Sequence, residues 1–89
     1  MAKKPTFNET EQDAVTHIQV WQNKQYGDCF LIEVQADGDI IAVSSPFTPT
    51  EVDGIDLSSM RGFDNDAGRV EWVRSNLDAF AIIRRDDDI

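Results

Sequence analysis

The pair Asp37-Gly38, set between two apolar runs, constrains this chain more than any other feature. Cys29-Phe30-Leu31-Ile32-Glu33-Val34 precedes it, and Ile40-Ile41-Ala42-Val43 follows it. Asp-Gly suits the two central positions of a type I′ turn, both of which need positive φ. The spacing predicts a hairpin in which Val34 opposes Ile41, Ile32 opposes Val43 and Phe30 opposes Ser45. Side chains alternate between faces along a strand. Phe30, Ile32, Val34, Ile41 and Val43 then share one apolar face. Cys29, Leu31, Glu33, Ile40 and Ala42 share the other, which is mixed.

A strand over residues 16–22 can be laid beside this hairpin, because Ile18 and Val20 alternate with His17 and Gln19. A loop over residues 23–27 would pair Val20 with Phe30 and Ile18 with Ile32, extending the apolar face and leaving Trp21 on the outer one. The competing reading is a helix over residues 11–24, with Ala14, Val15, Ile18 and Trp21 on one face. The density of β-branched residues favours the strand.

The remaining segments follow from local signals. Residues 1–15 form a polar arm with Pro5 and only two large apolar residues, Phe7 and Val15, with room for a helical turn over 9–14. Pro46 and Pro49 end the third strand. Residues 48–66 show no sustained period and read as a long loop, part of which packs down through Val52, Ile55, Leu57, Met60 and Phe63. A helix is predicted over 67–77, N-capped by Asp66 or Asp64. Val70, Val73 and Leu77 lie on its inner face, Trp72 lies at the flank, and Glu71 can reach Arg74. Residues 79–84 read as a last short strand, and residues 86–89 as a solvated acidic tail. The fold class is α+β: one antiparallel β-β-β-α-β domain over 16–85.

Size and charge narrow the function classes. A chain of 89 residues buries a small core and is marginal alone, so association with a second copy is a common remedy. The single cysteine, Cys29, rules out an internal disulfide and every multi-cysteine zinc pattern, and its place in a strand makes it a packed thiol. The net charge of −9, from 12 Asp and 5 Glu against 8 Lys and Arg, opposes binding to a nucleic-acid backbone. The same acid excess fits a halophilic host, where salt screens self-repulsion. No run reaches the roughly 18 apolar residues of a membrane span, and the first residues lack a signal-peptide apolar core. The expectation is a cytoplasmic protein with no nucleic-acid or membrane partner.

Several of these segments together resemble a known family. Val20-Trp21-Gln22-Asn23-Lys24 comes first, then Ala36-Asp37-Gly38-Asp39-Ile40-Ile41-Ala42-Val43-Ser44-Ser45 and Phe47, then a helix reading Val70-Glu71-Trp72-Val73-Arg74-Ser75-Asn76. This order and chemistry resemble the repeat of the YegP-like small proteins of unknown function, over residues 17–47 and 67–83. Asp37 stands where that family usually has Asn, Phe47 where it has Tyr, and its brief link before the helix is stretched here to residues 48–66. The resemblance implies a homodimer forming one continuous sheet with exchanged C-terminal strands. Ala79, Phe80, Ala81, Ile82 and Ile83 would make the dimer interface. It implies no chemistry. An apolar terminal strand also needs an edge to pair with, which agrees.

Candidate chemistry is sparse. His17 is the single histidine and has no second histidine or paired cysteine to converge with, so it reads as a partly exposed strand residue. Asp64-Asn65-Asp66 begins like a calcium loop, but position 68 is Gly68, and helix capping accounts for it better. Gly62 and Gly68 lack a phosphate-cradling pattern, and neither Ser44-Ser45 nor Ser58-Ser59 has a nucleophile-elbow context. No catalytic, cofactor-binding or metal-ligating set emerges, and no cofactor is implied. Trp21, Leu31 and Ile40 on the outer face, with Met60 and Phe63 from the long loop, form the candidate binding surface, unless the long loop or the N-terminal arm covers that face. The leading reading is a non-catalytic homodimeric interaction or stress-related accessory module. The alternative is a small-ligand-binding domain or minor enzyme with its site between the 48–66 loop and the sheet.

Overall fold

The computed structural model describes residues 16–85. The N-terminal arm, with its helical turn, and the acidic tail lie outside the described residues. Four antiparallel strands form one sheet: β1 (Thr16–Asn23), β2 (Cys29–Gln35), β3 (Ile40–Val43) and β4 (Phe80–Arg85), in the order β3-β2-β1-β4. Among the described residues one α-helix, α1 (Ala67–Ser75), lies on one face. Two 3-10 segments, Pro49–Gly54 and Leu57–Ser59, lie on the other, and a third, Leu77–Ala79, leads into β4. The class is α+β, and residues 16–23 are strand rather than helix.

The β2–β3 hairpin forms around Asp37-Gly38 with a different turn. Gly38 N donates to Gln35 O at 2.8 Å, and Gln35 N donates to Asp39 O at 2.8 Å. Gly38 has φ 93°, whereas no residue other than glycine has positive φ among the described residues. The loop is therefore three residues long, a type I turn closed by left-handed Gly38, rather than the expected type I′ pair. This shifts the register by one, setting Val34 opposite Ile40, and a bulge between Glu33 and Val34 restores Ile32 opposite Val43. The expected Val34–Ile41 pair is thus replaced: Ile40 is buried on the helix face and Ile41 is half-buried at the bulge.

The β1–β2 register also differs by one residue from expectation. Trp21 opposes Phe30, and Val20 opposes Leu31. The cause is the turn. Asn23 N donates to Asp28 O at 2.8 Å, so the two strands stay paired one step further and the tip has four residues rather than five. The buried Asn23 side chain holds that tip, its Oδ1 accepting from the amides of Gln25 and Tyr26 at 2.9 and 2.8 Å.

This shift places an apolar set on each face. Trp21, Phe30, Ile32, Val34, Ile40 and Val43 pack against Val70 and Val73 of α1 and against Phe80. Ile18, Val20, Cys29 and Leu31 pack on the opposite side against Val52 and Leu57, with Phe47, Ile55, Met60 and Phe63 against them. The long segment is therefore a second layer. Helix α1 starts as expected, with the Asp66 carboxylate accepting from Gly68 N at 2.7 Å. It stops earlier than expected, at Ser75, and Leu77 is 51 % exposed instead of joining the inner stripe. Asn76 N donates to Val73 O and Ala79 N to Asn76 O, so the chain tightens into a 3-10 turn that carries Leu77 off the face.

Candidate functional site

The expected outer surface is divided by the observed register. Trp21 and Ile40 are buried on the helix face, while Leu31 is buried on the other face with Met60 and Phe63 packed around it. The five residues therefore do not share one face, because the one-residue shift in β1 moves Trp21 and the β3 bulge moves Ile40. Trp21 and Phe80 rings lie 6.3 Å apart, and Trp72 packs edge-on to Phe30 and Phe80 at 5.6 and 5.2 Å while remaining 39 % exposed.

The two edges of the sheet are treated differently. On the outer side of β3, Val43 N donates to Asn65 Oδ1 at 2.8 Å, and Val43 O accepts from Arg69 Nε at 3.0 Å. Ile40 O accepts from Arg74 Nη2 at 2.8 Å and from its Nε at 3.1 Å. Side chains from α1 and the turn before it thus occupy the positions that a further strand would take. Asp64 and Asp39 steady these arginines at 3.0 and 3.2 Å. At the other edge, β4 pairs with β1 alone. Among the described residues, no backbone group pairs with the outer edge of β4. Ile82 and Ile83 at its centre are 43 % and 41 % exposed, whereas Phe80 is buried and Ala79 and Ala81 are half-buried. A bulge at Val20/Trp21 leaves Ile83 without a pairing partner across β1.

Arginine also fastens the second layer. Arg84 Nη1 donates to Val52 O at 2.6 Å and to Ile55 O at 2.7 Å, tying the first 3-10 segment to β4. Arg61 bonds Thr16 through its hydroxyl and its carbonyl, and lies 3.3 Å from Glu33. These roles for Asn65, Arg61, Arg69, Arg74 and Arg84 were missed from sequence. No local signal marks the arginine roles, because each of these arginines bonds backbone far from it in the chain.

Among the described residues, several titratable or nucleophilic side chains are buried or engaged in structural contacts. Cys29 is fully buried beneath the second layer, and that burial, then the nearby Asp28 carboxylate, pushes its thiol up. His17 is half-buried in β1 opposite Val34. Ser44 is buried, its Oγ accepting from Leu31 N and donating to Ser45 O, which is a structural use. Asp64, Asn65 and Asp66 serve Arg69, Val43 and the helix start respectively. No group of three or more His, Cys, Asp and Glu side chains among the described residues is arranged to hold a metal ion. None of the described helices is long and apolar enough to cross a membrane.

Among the described residues, the fold and edges define a four-stranded antiparallel α+β sheet covered on both faces, with one capped and one open edge. No family model matches the chain, and neither a curated protein nor a solved structure matches it.

Proposed function

We propose that this protein is a non-catalytic interaction module that works as a homodimer, two copies joining across the open edge of β4 into one continuous sheet. The observation that carries this reading is the contrast between the edges: β3 is closed by Asn65, Arg69 and Arg74, and β4 presents unpaired backbone with Ile82 and Ile83 half out of the sheet. An exposed apolar edge strand is a template for pairing, and proteins that do not pair such an edge usually block it. A two-fold axis between Ile82 and Ile83 would set each against the other in the second copy, and Phe80 against Arg85. Exchange of β4 between copies, implied by the YegP-like resemblance, would keep the β1–β4 pairs and make them with the partner's strand.

Light scattering tests this at about 0.15 M and about 1 M salt, since added salt screens the acid excess. The expected mass is twice the 10.0 kDa of one chain. Ile82→Lys places a charge on the edge and should yield a folded monomer. A wild-type chain that stays monomeric at both salts overturns the reading. Exchange is separated from edge pairing by mixing labelled and unlabelled chains, where β1–β4 contacts between differently labelled chains appear only on exchange.

A further inference from the structure

At the end of the sheet away from Thr16 and Arg85, the β1–β2 turn and the segment after β3 wall an open groove of about 410 Å³. Tyr26, Gly27, Asp28, Pro46, Phe47 and Pro49 are among the residues that line it. Both walls are held in place. On one side, Gly27 N donates to Asn23 O at 2.8 Å, Gln22 Nε2 donates to Gly27 O at 3.0 Å, and Asn23 caps the turn from within. Gly27 has φ 85°, which a residue with a side chain resists. On the other side, Phe47 exchanges two backbone hydrogen bonds with Cys29, at 2.8 and 2.9 Å, and a proline sits directly before it.

This bracing holds Tyr26 at 72 % exposure. No ring contact within the protein accounts for its placement among the described residues. The Asp28 carboxylate likewise has no hydrogen-bond or ion-pair partner among the described residues. The groove thus combines two aromatic residues, two rigid prolines and one uncompensated negative charge.

We infer that this groove binds a small organic cation of the alkylammonium class, held against Tyr26 and Phe47 and facing Asp28. Ring faces attract a cation through their quadrupole, and alkylammonium groups gain more than well-hydrated metal ions because they shed water easily. Asp28 adds attraction in a partly desolvated setting. The net charge of −9 raises the concentration of cations near the surface. A neutral apolar ligand would cover Asp28 without pairing it, which opposes binding. The groove's size falls in the range of small-molecule sites, roughly 300–1,000 Å³. Braced walls reduce the ordering cost of binding.

The test compares choline with its neutral carbon isostere, 3,3-dimethylbutan-1-ol, by amide NMR titration of the full chain, with sodium chloride matched for ionic strength. Choline should give saturable shifts at residues 26–28 and 47–48, at millimolar concentration, with the isostere weaker by roughly tenfold. Tyr26→Ala and Asp28→Asn should each weaken choline by about fivefold or more, while the melting temperature of each stays near that of the wild type. Equal binding of the isostere overturns the proposal, as do shifts outside the groove, unchanged affinity in both variants, or no saturation by about 100 mM. The dimer measurement above is independent, since the groove and β4 use different residues.

Discussion

At the scale of single residues, Cys29 shows how tertiary burial changes chemistry that composition leaves open. It is a lone thiol in β2, covered by Val52, Leu57 and their neighbours. Burial, then Asp28, raises its folded-state pKa. The unfolded thiol ionises near its ordinary value of about 8.5, so the unfolded state loses its proton first. Stability is therefore level below that pH and falls as pH rises from there towards the folded-state value. Denaturant midpoints between pH 7.5 and pH 10 should decline more steeply for the wild type than for Cys29→Ala, although the variant starts lower. Parallel declines would show that Cys29 does not contribute. Gly38 and Asp66 stand in contrast, since their local roles, turn and helix start, were legible from neighbouring residues alone. Asp66→Ala should cost about 1 kcal/mol, read as a lower melting temperature, because the Gly68 amide loses its acceptor. An unchanged melting temperature would mean that water or Asp64 replaces the cap.

At the scale of elements, the segment between β3 and α1 is held by side chains more than by regular structure. Two short 3-10 segments bury Val52 and Leu57, and Arg84 takes the carbonyls of Val52 and Ile55. Arg84 sits on β4, so the last strand and the second layer are mechanically linked. Arg84→Met keeps the apolar stem and removes the donors, leaving two carbonyls without their partner. The layer should then open more often, and Cys29 beneath it should react with a thiol reagent about tenfold faster at fixed pH, for a loss near 1.4 kcal/mol in local closing. An unaltered labelling rate would place the closing energy in the apolar contacts alone. The strands, the helix and the apolar residues of this segment could be read from periodicity and turn residues. The registers could not, because each turned on one residue: Asn23 extending the β1–β2 pairing, and Gly38 taking the left-handed position alone.

At the scale of the whole molecule, acidic surface charge opposes both folding and pairing. The formal charge of −9 on 89 residues is dispersed, and the surface ion pairs at Arg74 and Arg69 are too exposed to offset it by much. Screening shrinks the reach of this repulsion from roughly 10 Å at 0.1 M salt to roughly 3 Å at 1 M. The melting temperature should rise over that interval, and dissociation of the proposed dimer on dilution should weaken. A melting temperature that falls with added sodium chloride would show that attractive pairs dominate instead.

The sequence by itself determined the element order, the α+β class, the buried thiol and the apolar residues of the long segment. Each of these rests on local chemistry: alternation, glycine at a turn, an aspartate before a helix. Tertiary structure decided which residues share a face. Both faces of β1 and β2 carry apolar side chains, so alternation could not distinguish the helix side from the loop side, and a shift of one residue exchanged them. It also decided the fate of the sheet edges and the groove. The arginines that close β3 lie 26 and 34 residues from the carbonyls they bond, and Tyr26 and Phe47 come to line one groove only when the strands pair. Such placements depend on the summed geometry of several turns, which no local pattern encodes.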